Sequence, residues 1–151
     1  MGKTTVANLA FEVHDEMSLI VLKHGSGAPS EQEWKAYMDG LGPVAHRLEQ
    51  MRILVLTDGG RPRRDQQTQL TTILAGRSVR TAVVSSSTAV RFVISVFALM
   101  NPGIRGFASS HLTEALEYLG LNPNEFSLAE SVARRLSRAV GSTGKHAPVA
   151  V

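Results

Sequence analysis

The residues with most scope for chemistry lie in the run Asp58-Gly59-Gly60-Arg61-Pro62-Arg63-Arg64. An apolar stretch precedes it and a helical pattern follows, so the glycines permit a sharp exit from a strand. Free N–H groups at the helix start and the guanidinium forks of Arg61, Arg63 and Arg64 then favour a small anion. A plain turn with solvated arginines accounts for the same residues. Gly2-Lys3-Thr4-Thr5 copies the end of a phosphate-binding loop but lacks the upstream glycine and strand that make the cradle, so nucleotide binding is not expected. Ser85-Ser86-Ser87 has neither a neighbouring base nor the strained elbow a serine nucleophile needs, and helix capping explains it better. His14, His24, His46, His111 and His146 fall on separate segments without metal-ligand spacing, and no carboxylates are paired for acid–base work. The chain is expected to be neither an enzyme nor the holder of a cofactor.

Composition narrows the setting. At 151 residues the chain has room for one domain with a real core, and with no cysteine it has no disulfides or thiolate metal sites. The N-terminus is a poor signal peptide and no apolar run is long enough to span a bilayer, so a cytoplasmic protein is expected. The net charge of +3 is spread over several segments and aromatic residues make up only 5% of the chain, a poor match to a nucleic-acid partner.

The elements that must position these residues follow from periodicity. Residues 11–14 and 17–23 read as two strands around an Asp15-Glu16 turn. Ser30 with Glu33 makes a capping box, and Gly40, Gly42 and Pro43 interrupt the pattern that follows, predicting a kinked or two-part helix over 30–50. Strands at 51–58, 79–84 and 104–108 each precede a helical stretch, the pattern of right-handed crossovers and a parallel sheet. Pro62 is placed for a first helical turn with Leu70, Ile73 and Leu74 as the buried stripe, closed by Gly76. A short helix over 110–119 stops at Gly120. Ser127 and Glu130 read as the opening of a last helix through Val140, and the tail, 141–151, reads as disordered.

The wording of the later repeats is specific: AVVSSSTAVR at 82–91, GIRGF at 103–107 and EALEYLGL at 114–121. In these motifs, and in the order of elements from 11 to 121, the chain resembles STAS domains, in particular their SpoIIAA-like, STAS/SEC14 branch. The resemblance implies an α/β fold with a mixed, largely parallel sheet of four or five strands and helices mainly on one side. It divides the chain into a domain at 1–121, an accessory helix at 122–140 and the tail. It also implies a regulatory, protein-binding role. Regulatory members are phosphorylated on a serine in an Asp-Ser-Ser run after the third strand; the best match here is Asp65-Gln66-Gln67, and Gln66 cannot accept a phosphoryl group. The phospho-switch is therefore expected to be absent, with Thr68, Thr71 and Thr72 as the nearest hydroxyls.

Thr88–Met100 is apolar around most of its circumference, with Arg91 and Ser95 almost the only polar breaks. A helix packed on one sheet face needs a single stripe, so Phe92, Val96, Phe97 and Met100 require cover. Three covers are open: the last helix of the same chain, a second subunit in a homodimer, or an apolar, lipid-like ligand. Two functions follow, a cytoplasmic protein-interaction module or a carrier or sensor of a small apolar or anionic ligand.

Overall fold

A computed structural model of the chain describes residues 7–140. Five strands lie in sequential order, β1 (Leu9–His14), β2 (Leu19–His24), β3 (Arg52–Thr57), β4 (Arg80–Ser85) and β5 (Ile104–Ala108). β1 and β2 pair antiparallel through a tight 3₁₀ turn at Asp15–Met17; the remaining pairs are parallel. This is the mixed, largely parallel sheet the crossover pattern predicts. Every residue of β2 is buried, as a strand covered on both faces requires.

Alternation along the strands feeds two cores. Leu19, Val21, Leu54, Leu56, Ala82 and Val84 point to one face, where α4 (Leu112–Tyr118) and α5 (Pro123–Ala139) cover them. Ile20 and Leu22 point to the other, against Trp34, Tyr37 and Leu41 of α1 (Glu31–Leu41) and Val44 and Leu48 of the 3₁₀ segment Gly42–Gln50. That second face also carries α2 (Arg64–Leu74) and α3 (Thr88–Met100), so it holds the larger share of helix, while the first face is closed by α4 and α5.

Local signals set the helix ends. Ser30 Oγ accepts the Glu33 N–H at 3.0 Å and Glu33 Oε1 accepts the Ser30 N–H at 2.9 Å, completing the capping box of α1. The following 3₁₀ segment carries Pro43 at its start and breaks helical geometry at Arg47, giving the two-part helix. α2 starts later than the Pro62 signal indicates: Gln66 Oε1 accepts the Arg63 N–H at 2.9 Å, which fixes the cap at Arg63 and leaves Pro62 in the loop. α5 starts earlier than the Ser127–Glu130 signal indicates. Asn122 and Glu125 form the box that is used, with Glu125 Oε1 accepting the Asn122 N–H at 2.9 Å and Pro123 at the first turn. Gly2, Lys3, Thr4 and Thr5, and the tail 141–151, lie outside the described residues.

Candidate functional site

Because β2, β3 and β4 run parallel and each is followed by a helix, α1, α2 and α3 all start at the carboxyl end of the sheet. Their N-termini bring partial positive charge to that end. α2 is poor in apolar residues; only Leu70, Ile73 and Leu74 pack inward, chiefly toward the 3₁₀ segment. It therefore stands off the strands, and a groove of about 1020 Å³ runs between it and the sheet, walled by α1 and α3.

The groove changes character along its length. Leu22, Ile53, Val55, Thr81 and Val83 form its floor, and α3 contributes Ala89, Val90, Val93 and Ile94. Leu70 and Leu74 of α2 close it from above, and Val79 and Ile104 lie toward the strands' amino ends. At the carboxyl end the lining turns polar, with His24, Thr57, Gly59, Gly60 and the arginines 61, 63 and 64.

The loop that delivers those arginines is tightly made. Asp58 N–H donates to His24 O at 3.1 Å, Gly59 N–H to Thr57 Oγ1 at 3.0 Å and Gly60 N–H to Gly25 O at 2.8 Å. A Cβ on Gly60 would lie 2.5 Å from Gly25 O and closer still to Gly27 O, both backbone atoms, so only glycine fits there. Asp58 points away from the groove; Lys23 Nζ donates to its carboxylate at 2.7 Å. Arg63 bridges α2 to the segment before α1, donating to Asp65 at 3.2 Å and to Pro29 O at 3.2 Å. Arg61 and Arg64 are exposed, and their guanidinium groups make no hydrogen bond or ion pair with a described residue.

Gln66 is 1% exposed and holds two segments together: it accepts from Arg63 N–H and donates from Nε2 to Pro29 O at 3.1 Å. The hydroxyls of Thr68, Thr71 and Thr72 each donate to the carbonyl four residues back. Ser87 Oγ accepts from Val90 N–H at 3.2 Å and Ser85 Oγ from Ser87 N–H at 3.1 Å, the capping role expected of that run.

The structure thus brings Gly59, Gly60, Arg61, Arg63 and Arg64 to the same groove as α3, two features that read as unrelated in sequence, and it leaves Asp58 out. The side chains of Phe92, Val96, Phe97 and Met100 lie outside the described residues. α5 packs on β1 and β2, on the face opposite α3, so it is not the cover of that helix. Leu99 of α3 is 85% exposed.

Two site residues had no sequence signal as chemistry. His24 ends β2 and Trp34 is the fourth residue of α1; they are 4% and 2% exposed, and both line the groove. His24 Nδ1 and Trp34 Nε1 are buried without a hydrogen-bond partner. Burial, with the Lys23 charge adding to it, pushes the His24 imidazole down to about 4, so the ring is neutral at neutral pH. Their convergence depends on the β2-to-α1 crossover, which no local motif encodes. Among the described residues no group of three or more His, Asp or Glu is placed to hold a metal ion, and no helix is long and apolar enough to cross a membrane.

No protein-family model matches the chain, and no curated protein matches it. Its structure is similar to the crystal structure of an uncharacterized protein of the DUF3478 family from Shewanella loihica PV-4, described as having a SpoIIAA-like fold. The TM-score is 0.60 at 14% sequence identity, over 79% of this chain and 98% of the other. Together with the sheet order and the crossovers, this similarity shows that the chain has the SpoIIAA-like fold.

Proposed function

We propose that the chain is a non-catalytic, cytoplasmic binding module that holds a small lipid-like ligand in the groove between α2 and the sheet. The groove itself carries this reading. Its volume of about 1020 Å³ is at the upper end of the ~300–1,000 Å³ usual for small-molecule sites, and its floor and walls are mostly aliphatic. The groove exists because α2 has too few apolar residues to close onto the strands, so the half-buried Ile53 and Val55 of its floor call for an apolar occupant. The serine run is engaged in capping, which supports a binding role over catalysis.

Native mass spectrometry of the purified full chain, before and after incubation with methyl decanoate, tests this. An adduct of one ligand per chain, lost when Val55→Phe fills the floor, is the expected result. A protein that takes up nothing would overturn it.

The second reading is a protein-interaction module, and Leu99 favours it: a large aliphatic side chain 85% exposed on a helix whose cover is not α5. In this reading Phe92, Val96, Phe97 and Met100 belong to a homodimer or partner interface around α3. Sedimentation of the wild type against Leu99→Glu separates the two. A dimer that the substitution dissociates supports the interface, and a monomer at high concentration removes it.

A further inference from the structure

The carboxyl end of the groove holds hydrogen-bonding groups that the chain itself leaves unmatched. Trp34 Nε1–H can only donate, and it is buried with no acceptor; His24 Nδ1 is buried with no partner on the neighbouring strand end. Leaving such groups unpaired is costly, and both side chains line the groove where it meets the starts of α1 and α2. Arg61 and Arg64 line the same end with guanidinium groups uncommitted to any described residue.

We infer that this end is a head-group subsite for a carboxylate carried on an apolar tail, with Trp34 and His24 hydrogen-bonding the head, Arg61 and Arg64 supplying the countercharge, and the tail lying along Val55 and Val83 toward Ile104. The inference rests on the groove being a ligand site and adds the chemistry and direction of the ligand. The neutral imidazole of His24 donates to a carboxylate oxygen in the tautomer that carries its proton on Nδ1, the nitrogen without a partner. A phosphate cradle is a poorer description. Such a cradle is built from free backbone N–H groups, whereas those of Asp58, Gly59, Gly60 and Arg63 are already donated within the protein. What remains is a planar indole donor, an imidazole and two guanidinium forks, a set suited to a planar, singly charged acid.

Calorimetric titration of the full chain with decanoate, methyl decanoate and decyl phosphate tests the assignment, because the three share a tail and differ in the head. Decanoate is expected to bind at least about tenfold more tightly than the ester, the effect of one charge-assisted hydrogen bond. The emission of Trp34, the one tryptophan of the chain, should shift on binding. In the double variant Arg61→Ala, Arg64→Ala, both at exposed positions, the advantage of the acid over the ester should disappear. Trp34→Phe should reduce that advantage in the same direction. Equal affinity for acid and ester would overturn the head subsite while leaving the apolar groove standing, and tighter binding of decyl phosphate would overturn the carboxylate assignment. No binding of any of the three would overturn the ligand site itself and the subsite with it.

Discussion

His24 shows how a single side chain reports on the site. Its imidazole is held down to about 4 from an ordinary 6.5, first by burial and then by the Lys23 charge. As pH falls through 6.5 the unfolded chain binds a proton that the folded chain refuses until about 4, so the stability His24 confers is full above 6.5 and is lost across that window. Urea denaturation over the same range should show a steeper fall for the wild type than for His24→Gln, and parallel curves would contradict the burial. Glu12 acts in a lower window. The hydrogen bond from Arg135, with His14 assisting, brings its carboxyl from 4.5 to about 2, so the β1–α5 link should survive until the pH drops well below 4.5. Gln66 belongs to this scale too. Gln66→Leu leaves Arg63 N–H without its acceptor and Pro29 O with the Arg63 guanidinium alone, and should cost about 1–3 kcal/mol, measured by chemical denaturation. Gln66 is thus a buried strut between Pro29 and the start of α2.

Among the elements, those with a strong period and an unambiguous cap were legible: β5 and α3 stand where their sequence places them, and Ser30–Glu33 opens α1 as its spacing requires. The misplaced ends came from competition between equivalent signals. Ser127–Glu130 and Asn122–Glu125 are both acceptable capping pairs, and the second is used because it lets α5 bury Phe126 and Ala129 as well as Val132 and Leu136. Thus α5 is woven into the core over β1 and β2, more than an appendage to it. Leu136→Ala, at 5% exposure, should therefore cost about 2–4 kcal/mol in urea denaturation. A loss below about 0.5 kcal/mol, the range of surface substitutions, would mean that the helix is accessory after all.

On the scale of the whole molecule, what sequence could not supply was which features meet. The Asp58–Arg64 run and the apolar α3 were both visible, yet only the right-handed crossovers put Arg61 and Val93 on one groove and send α5 to the other face. His24 and Trp34 were invisible for the same reason. The sheet has two faces, one closed by α4 and α5 and one propped open by the polar α2. An amide-resolved NMR titration of the full chain with methyl decanoate tests this arrangement most directly. Perturbations are expected to cluster on Val55, Val83, Val93 and Ile104, with Val132 and Leu136 of the opposite face unmoved. Perturbations centred on α5, or none at saturating ligand, would contradict it.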